Sequence, residues 1–361
     1  MKKILAVVFG GKSDEHEVSL SSAANVLRAI DENKYEVHKI GITREGRWYW
    51  TPATPEQIAD GSWEELLTNH QCAIPHDPTI RGILVFDMID RAHVQKIDCI
   101  IPVLHGDHGE DGEIQGLFSM AEIPFVGPGV KASANCMDKS AAKELGKLVG
   151  VKMAKHYLVR KRAFARDRAA VIEEIKETHG GKYPLFVKPC AAGSSVGVTK
   201  VKSGDTLESA IEEALRYDSK VLVEEAIVGR ELEVAVLGNE SPKASSVGEI
   251  LTAGEFYSYD SKYVNPESKT RIADDLPCEV RDRIRQYAID IYCELDCRGL
   301  SRVDFFYSDE GEIIFNEINT LPGFTDISMY PMLWRHDGIP TTELMDILVE
   351  LALEEHSDWI Y

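Results

Sequence analysis

The sequence contains no stretch of about 18 consecutive apolar residues, the length that a membrane-spanning helix needs. The apolar run near its start, Ile4 to Phe9, ends at Gly10 and is too short for the central region of a signal peptide. Basic residues are also in deficit, because 40 lysines and arginines face 60 aspartates and glutamates and leave a formal net charge of −20 at pH 7. Such a surface repels nucleic acid and anionic lipid. We therefore expect neither nucleic acid nor a membrane as a partner.

The cysteines are few, seven in all, and none are spaced as CxxC pairs. This pattern argues against a disulfide framework and a structural zinc site. Free thiols are typical of a reducing cytoplasm, which is where we expect the protein to act. Internal repeats and low-complexity tracts are also lacking. The 361 residues, of which 44% are apolar and 28% charged, predict an ordinary globular protein of two or three domains.

The stretch "FGGKSDEH", residues 9–16, lacks the first glycine of a P-loop. That glycine should lie five positions before the one that precedes the lysine, and Ala6 occupies this position inside a strand. The stretch therefore predicts a glycine turn between a strand and a helix. Glu17 follows where the helix is expected to begin. Its carboxylate could interact with the helix dipole or bind a substrate ammonium group, and the residues alone leave both open.

Short strands alternate with helices over the first 130 residues, which predicts a parallel sheet with crossover helices. Ligands bind such sheets at loops after the strand ends, where this chain has "GGKSDEHEVS" and "HGDHGEDG". From about Met137 a helix, "MDKSAAKELGKLVG", precedes a strand, "YPLFVKP", and a glycine–serine loop, "AAGSSVGVTKV". "KVLVEEAIVGRELEVAVLG" predicts two strands joined by a turn. In residues 251–277 the apolar residues follow neither the spacing of a helix nor that of a strand, which predicts a functional lid or a disordered loop.

Two predicted strands near the C-terminus, "GLSRVDFFY" and "EIIFNEIN", carry polar residues two positions apart. Arg302 and Asp304 share one face of the first strand, and Glu317 and Asn319 share one face of the second. A turn centred on residues 309–310 would place Arg302 opposite Glu317. A set of metal ligands that offers only oxygen atoms, with no histidine or cysteine, favours Mg²⁺. The alternative, a solvated polar face with an arginine–glutamate pair, is weaker because the residues between them already supply an apolar face.

A magnesium ion held by few protein groups takes further ligands from phosphates, so an anion site is expected as well. The candidates are Lys139 at a helix start, Lys188 at a strand end, and the loop 193–197, whose backbone N–H groups could cover an anion. Either lysine alone could be a surface charge. Glu224 and Glu225 could accept hydrogen bonds from a ribose or from the amino group of adenine.

The order of the motifs "MDK", "FVKP", "GSSVG", "VEEAIVGRELE", "SRVDFF" and "FNEINTLPGFT" resembles that of the ATP-grasp ligases. The two loops of the N-terminal region narrow the resemblance to the D-alanine–D-alanine ligases, over nearly the whole chain. The resemblance implies an α/β fold of three domains. The three are an N-terminal parallel α/β domain over 1–136, a central ATP-grasp domain over 137–226, and a C-terminal ATP-grasp domain over 227–361 with a mobile lid at about 251–276. The nucleotide would bind between the central and the C-terminal domain.

The resemblance also implies the reaction. The carboxylate of one D-alanine attacks the γ-phosphate of ATP to give an acyl phosphate, and the amine of a second D-alanine displaces phosphate, giving D-alanyl-D-alanine for peptidoglycan. Two Mg²⁺ ions, replaceable by Mn²⁺, would be bound by Asp304, Glu317 and Asn319. The residues around the nucleotide would be Lys139, Phe186, Lys188, Ser195, Glu224, Glu225, Ala226, Ile227, Glu231 and Phe306.

In the same resemblance, Glu17 holds the ammonium group of the first D-alanine and connects through Ser194 to Tyr263 of the lid. Lys262 would reach the γ-phosphate when the lid closes and excludes water. The oxyanion hole for the tetrahedral intermediate would consist of a cation and a backbone N–H group. Arg302 and the backbone N–H of Gly323 would form this hole. Further substrate or catalytic contacts would come from His105, Glu110, Ser328 and Met329. For His105, a role in capping a turn stays open.

The second substrate is expected to be D-alanine, although relatives of this family use D-lactate or D-serine. D-lactate ligases replace the Lys262–Tyr263 pair that this chain keeps. Met329 suits a methyl group, but an apolar pocket rejects an added hydroxyl only modestly. A homodimer is expected from the resemblance. Two alternatives remain: another ATP-grasp enzyme, such as a biotin carboxylase or glutathione synthetase relative, and a non-catalytic nucleotide-binding or nicotinamide-dependent protein.

Overall fold

The part of the chain that the structure describes forms three β-sheets with helices beside them. The computed structural model describes residues 2–86, 91–251 and 269–357. The sheets contain seven, four and six strands, and they follow one another along the chain apart from one short strand. The α/β fold class predicted from the sequence is confirmed by this architecture.

The N-terminal sheet is built around β1 (Lys3–Gly10), whose residues 5–9 are fully buried. β1 pairs in parallel with β2 (Tyr35–Ile42) and with β7 (Cys99–Val103). A strand buried on both faces consists of a continuous apolar run, so the sequence identified it readily. Four antiparallel strands extend the sheet beyond β2, and the sequence did not predict them: β3 (Trp48–Thr51), β4 (His70–Ala73), β5 (Gly82–Phe86) and β6 (Ala92–Lys96).

The middle sheet has four antiparallel strands in the order β11 (Thr199–Val201), β10 (Leu185–Pro189), β12 (Lys220–Glu225) and β9 (His156–Arg160). Successive side chains of a strand point to opposite faces. Leu185 and Val187 therefore pack into the core of this region, while Phe186 and Lys188 face the other way and line a cavity.

The third sheet has the order β15 (Lys269–Ile272), β14 (Lys243–Leu251), β13 (Gly229–Leu237), β16 (Leu300–Ser308), β17 (Ile313–Asn319) and β8 (Lys152–Met153). One core lies between this sheet and a long helix. A second core is shared with the N-terminal sheet, because the two last helices pack against both. This shared core fixes the third sheet relative to the first.

The helices lie between the strands along the chain. Among the described residues, three short 3₁₀ turns accompany them: Ser62–Glu65, Lys147–Val149 and Gly204–Thr206. The α-helices of the same residues are α1 (His16–Ala29), α2 (Pro55–Ala59), α3 (Glu113–Met120), α4 (Val130–Met137), α5 (Lys139–Gly146), α6 (Lys161–Arg166), α7 (Arg168–His179), α8 (Leu207–Ala214), α9 (Cys278–Glu294), α10 (Met329–His336) and α11 (Thr341–Ser357).

Two sequence-based expectations about strands need correction. β12 and β13 do not form a hairpin; they belong to different sheets, and residues 226–228 cross from one sheet to the other. The segment 251–277 is not irregular throughout, because β15 pairs with β14 near its end. Local sequence cannot reveal which sheet a strand joins, since that depends on distant partners.

The predicted domain limits at 136 and 226 remain a prediction. β8 comes from the predicted central range, yet it pairs in parallel with β17 of the third sheet. All seven cysteines lie in the described part of the chain and are free thiols, as expected. Among the described residues, no helix combines the length and apolarity needed to cross a membrane.

Candidate active site

A cavity of ≈ 600 Å³ lies where the three sheets meet. Its lining comes from the start of α1 and the loop after β7, from β10 and β12, and from β13, β16 and the end of β17. The predicted site residues that line it are His105, Glu110, Lys139, Phe186, Lys188, Ser194, Ser195, Glu224, Glu225, Ala226, Ile227, Glu231, Arg302, Phe306, Glu317, Asn319, Gly323, Ser328 and Met329.

Among the other predicted site residues, Asp304 lies behind the cavity wall and is 3% exposed. Lys262 and Tyr263 lie outside the described residues. Glu17 points away from the cavity: its carboxylate pairs with Arg44 and its side chain is 62% exposed. The prediction that Glu17 connects to Ser194 is therefore wrong.

Glu15 occupies the position that the sequence assigned to Glu17. It directly precedes α1, is buried, and accepts a hydrogen bond from Ser194 Oγ on its Oε1. Two residues correspond to about 200° around a helix, so the two glutamates point to opposite sides. Gly193 makes room for the buried carboxylate, because a Cβ there would lie 2.5 Å from Glu15 Oε2.

A second carboxylate, Glu110, lies beside Glu15. Its Oε2 accepts the N–H of Gly106 at 2.9 Å, and its Oε1 accepts the N–H of Leu321 at 3.1 Å. Burial and the nearby charge of Glu15 raise the pKa of Glu110 to about 8, although the two N–H donors oppose this. Glu110 therefore joins the loop after β7 to the loop after β17.

His105 makes a parallel connection between the same two loops. Its Nδ1 lies 3.0 Å from the carbonyl oxygen of Leu321, and its Nε2 lies 3.2 Å from Ser22 Oγ, which accepts the N–H of Phe324. Burial lowers the pKa of His105, so the neutral ring donates through Nδ1 and accepts through Nε2. With both nitrogens engaged, His105 is a positioning residue and not a metal ligand.

The wall formed by β10 and β12 has a different charge arrangement. Glu224 is 2% exposed and lies between two lysines, with Lys188 Nζ at 2.8 Å from one oxygen and Lys143 Nζ at 3.0 Å from the other. Burial opposes ionisation of this carboxyl, but the two ammonium groups lower the pKa of Glu224 below its usual value. Glu224 is therefore an ionised group that can only accept hydrogen bonds.

Lys139 is the first residue of α5 and is positioned by the residue before it. Asp138 caps the helix by accepting the N–H groups of Ser140 and Ala141, and its other oxygen pairs with Lys220. Lys139 Nζ donates to the carbonyl oxygen of Ala192 at 2.9 Å and lies 3.5 Å from Glu317 Oε2. The cap thus directs this ammonium group toward the strand pair β16–β17.

The register of β16 and β17 differs from the prediction. Arg302 lies opposite Asn319 and Asp304 lies opposite Glu317, with an irregularity after Asp304. The predicted register was therefore wrong by two residues, although the strand pairs next to the turn centre it on residue 310, close to the predicted position; the irregularity after Asp304 adds to the difference. Asp304 nevertheless lies beside Asn319, whose Nδ2 donates to Asp304 Oδ2 at 3.0 Å, and opposite Glu317 on the neighbouring strand.

Arg302 is held by two acidic groups. It donates two hydrogen bonds to Asp304, at 2.8 and 2.7 Å, and lies 3.1 Å from Glu233 Oε2. Burial opposes its charge, but these carboxylates raise the pKa of Arg302 above its usual value. The guanidinium lines the cavity as a fixed positive charge.

The donor set of this strand pair fits a hard divalent cation by its chemistry. Asp304 and Glu317 supply carboxylate oxygens and Asn319 supplies an amide oxygen, which is the set that Mg²⁺ prefers. A cation here would compete with Arg302 for the carboxylate of Asp304, since both oxygens of Asp304 now accept hydrogen bonds from Arg302.

The loop between β10 and β11 has an unusual backbone. Ser194 and Ser195 have φ angles of 46° and 61°, in the left-handed region that few non-glycine residues adopt. Strained backbone of this kind is concentrated at ligand sites. The Oγ of Ser194 is already bonded to Glu15, so the loop and the N-terminal region meet at this point.

The loop before α10 brings Gly323, Ser328 and Met329 to the cavity. Ser328 Oγ accepts the N–H of Thr325 at 2.9 Å, and a Cβ at Gly323 would lie 2.9 Å from that oxygen. A side chain at position 323 would therefore force the hydroxyl of Ser328 to move. Met329, the first residue of α10, is 4% exposed and forms part of the shared core.

The sequence interpretation missed several residues. Glu15 precedes Glu17 by two positions, Lys143 follows Lys139 by one helical turn, and Glu233 shares a strand face with Glu231. These spacings were usable signals, because such residues share a face or lie on opposite sides of a helix. No sequence pattern indicates the cluster in which Glu249 binds Arg230 and Arg271, since its members lie on three different strands.

Known proteins match this chain along its length. Models of the D-ala D-ala ligase N-terminus and C-terminus match residues 4–128 and 145–350. The D-alanine–D-alanine ligase of Acetivibrio thermocellus is 45% identical over 99% of this chain and 97% of its own length.

Solved structures agree with these matches. The VanG D-Ala:D-Ser ligase of Enterococcus faecalis has a TM-score of 0.88 at 40% identity, covering 98% of this chain and 100% of that one. The D-alanine-D-alanine ligase of Coxiella burnetii has a TM-score of 0.87 at 35% identity, covering 99% and 96%. The family predicted from the motifs is thus confirmed, and the chain belongs to the D-alanine–D-alanine ligase family.

Proposed function

We propose that the protein joins two D-alanine molecules at the expense of ATP, releasing ADP and phosphate. The observation that carries this proposal is that one cavity combines a lysine-rich wall with an acidic corner. Lys139 and Lys188 line the wall, and Glu15 lies at the corner with Ser194 bound to it. Phosphate and an ammonium group are the partners that these two regions favour electrostatically.

In the first step, the carboxylate of one D-alanine attacks the γ-phosphorus of ATP, and ADP leaves. We assign the phosphates to Lys139, Lys188 and the loop that contains Ser194 and Ser195. The remaining nucleotide contacts are proposed for residues of β10, β12, β13 and β16 that line the cavity: Phe186, Glu224, Glu225, Ala226, Ile227, Glu231 and Phe306. Ionised Glu224 accepts hydrogen bonds from the adenine amino group or from ribose.

In the second step, the amine of the second D-alanine attacks the acyl carbon, the tetrahedral intermediate collapses, and phosphate leaves. Arg302 and the N–H of Gly323 are proposed to stabilise the negative oxygen of that intermediate. Glu15 replaces Glu17 as the group proposed to bind the ammonium of the first D-alanine. Lys262 and Tyr263 keep their proposed roles at the γ-phosphate and beside Ser194, and both lie outside the described residues.

Magnesium is the proposed cofactor, with Mn²⁺ as a substitute. Asp304, Glu317 and Asn319 would hold it, and it would neutralise negative charge on the phosphates. A homodimer and a cytoplasmic location are further proposals from the family resemblance. Chelation by EDTA should remove activity, and sedimentation should give a mass of two chains.

D-alanine is the proposed second substrate as well as the first. Met329 offers an apolar surface beside Ser328, and such a surface favours a methyl side chain. The structural relative from Enterococcus faecalis is a D-Ala:D-Ser ligase, so D-serine is the competitor that a test must include. A hydroxyl added to the substrate is rejected by an apolar pocket by only about 10²-fold or less.

The test measures phosphate release with ATP, Mg²⁺ and D-alanine, together with the dipeptide by mass spectrometry. We expect both products in equal amounts, and neither when D-alanine is omitted. Replacing a metal ligand, Glu317→Ala, should lower kcat by more than about 10³-fold, since charge neutralisation by the metal contributes several kcal/mol. Glu312→Ala is the matched control, because that side chain pairs with Lys152 on the surface.

Absence of D-alanine-dependent phosphate release from the wild-type protein would refute the proposed function. Near-normal turnover by Glu317→Ala would leave the function intact and refute the metal assignment. The two parts of the proposal are therefore tested separately.

A further inference from the structure

Gly248 on β14 lies directly under the side chain of Met329, the first residue of α10. A Cβ on Gly248 would lie 2.5 Å from Met329 Sδ and 3.0 Å from Met329 Cε. Leu333, one turn further along α10, would come within 3.2 Å of the same Cβ. The thioether of Met329 therefore rests on the bare backbone of β14, at a distance that only glycine permits.

The position of this thioether is fixed on its other sides by the protein core. Met329 is 4% exposed and belongs to the same buried cluster as Ile250, Tyr330 and Leu333. Met329 also lines the cavity, so the cavity is the open space next to it. A side chain at position 248 would have to displace the thioether by about 1 Å, because ordinary contacts lie near 3.5–4.0 Å. The methionine side chain can make this movement by rotating about its side-chain bonds.

We propose that Gly248 is a specificity-determining residue that sets the room for the side chain of the second amino acid. Without a side chain, it lets Met329 lie back against β14 and leaves space in the cavity for a small substituent. An alanine at 248 would push the thioether into that space. This inference rests on the proposed function, since it concerns the acceptor of the second step.

Gly248 itself is separated from the charged cluster beside it. Adjacent residues of a strand point to opposite faces, so Glu249 faces Arg230 and Arg271 while Gly248 faces α10. A change at 248 should therefore act through Met329 and leave those ion pairs in place. Its effect on acceptors should depend on their size and not on their charge.

The experiment compares four acceptors at saturating ATP, with D-alanine as the first substrate and the mixed dipeptides measured by mass spectrometry. Glycine, D-alanine, D-serine and D-2-aminobutyrate have side chains of increasing size, and the last two are nearly isosteric but differ in polarity. For Gly248→Ala we expect kcat/KM to fall at least about tenfold for both larger acceptors, the effect of roughly one methylene. Glycine should change less than about twofold.

Two further variants make the result specific. In Met329→Val the thioether is absent, so Gly248→Ala should have little effect in that background, and the two changes should be non-additive. Met329→Val alone should raise acceptance of D-2-aminobutyrate, and thermal unfolding measures the stability that the smaller side chain costs the core. Gly116→Ala is the control, because a Cβ there meets nothing within 4 Å, and all acceptor constants should stay unchanged.

Equal losses for glycine and D-2-aminobutyrate, or additive effects in the double variant, would overturn the proposal and leave Gly248 a purely structural residue. A loss confined to D-serine would also overturn it, because polarity and not size would then decide. Failure of the wild-type protein to form any dipeptide would be a different result, and it would refute the proposed function.

Discussion

Two carboxylates in the same cavity are held in opposite ways. Glu224, on the wall of β10 and β12, lies between two ammonium groups that lower its pKa. Glu110, in the loop after β7, is bonded to backbone N–H groups and lies near a second carboxylate, and its pKa rises to about 8. The comparison shows that charge partners, and not burial alone, decide the protonation of a glutamate.

The difference also separates the cavity into two electrostatic regions. The wall with Lys143 and Lys188 neutralises its own carboxylate and still offers positive charge, which suits phosphate. The corner holds the carboxylate of Glu15, while Glu110 beside it keeps its proton near neutral pH, and the negative charge of Glu15 suits an ammonium group. On charge alone, the ammonium group of an amino acid can be assigned to the acidic corner and the phosphates of a nucleotide to the wall that contains the lysines.

Of the two regions compared, the acidic corner is where the larger effect is expected. Glu15→Gln keeps the shape and removes the charge, so kcat/KM for the first D-alanine should fall about 10²-fold or more, as for the loss of one partner of a desolvated ion pair. Glu17→Gln should change it less than about twofold, because that side chain pairs with Arg44 at the surface. Steady-state kinetics at saturating ATP measure both.

The reverse order, with Glu17→Gln the more damaging change, would remove Glu15 from the ammonium site. Equal and small effects would contradict the assignment of the acidic corner to the first substrate. Thermal unfolding of both variants checks that a loss of activity is not a loss of folding.

The nucleotide wall could be predicted from the sequence more fully than the acidic corner, for a physical reason. Lys188, Glu224 and Glu317 lie on strands, where alternation fixes the direction of every side chain once the strand is recognised. Glu15 lies at a helix start, where an error of two residues turns a side chain to the opposite side. The contact of Glu15 with Ser194 also joins residues far apart in the chain, and local patterns do not contain that information.

The same reason explains the parts of the fold that were predicted and those that were not. β1 and β7 are continuous apolar runs and were recognised, whereas the exposed strand β6, "AHVQK", has no such pattern. The register of β16 and β17 was predicted two residues off, because it depends on the exact turn and on the irregularity after Asp304, which local sequence does not indicate. The predicted strand face of each side chain is still correct, because a register shift of two residues leaves every side chain on the same face.

A smaller effect is expected from the nucleotide wall. Lys143→Met removes one of the two ammonium groups on Glu224 and also the hydrogen bond from Lys143 Nζ to the carbonyl oxygen of Asn316. Breaking a buried pair costs about 3 kcal/mol of stability. We expect KM for ATP to rise about tenfold, the equivalent of about 1.4 kcal/mol, with kcat changed less. Urea unfolding and ATP titration measure the two effects.

Lys147→Met is the matched control for this change. Its side chain pairs with Glu144 at the surface just after α5, and removal should alter stability by less than about 0.5 kcal/mol. A stability loss in Lys143→Met without any change in KM for ATP would make Lys143 a structural residue only.

The smallest effect is a pH dependence from Glu110. Its native pKa is raised from 4.5 to about 8, so the folded protein keeps a proton that the unfolded chain releases between these values. Stability must therefore fall as pH rises through this window. Glu110→Gln cannot ionise and should lack that fall, so its melting temperature should gain at least about 2–4 °C, the equivalent of about 1 kcal/mol, relative to wild type between pH 5 and 8. Parallel melting curves across this range would show that the two N–H donors keep Glu110 ionised, and the contrast with Glu224 would then be one of partners and not of protonation.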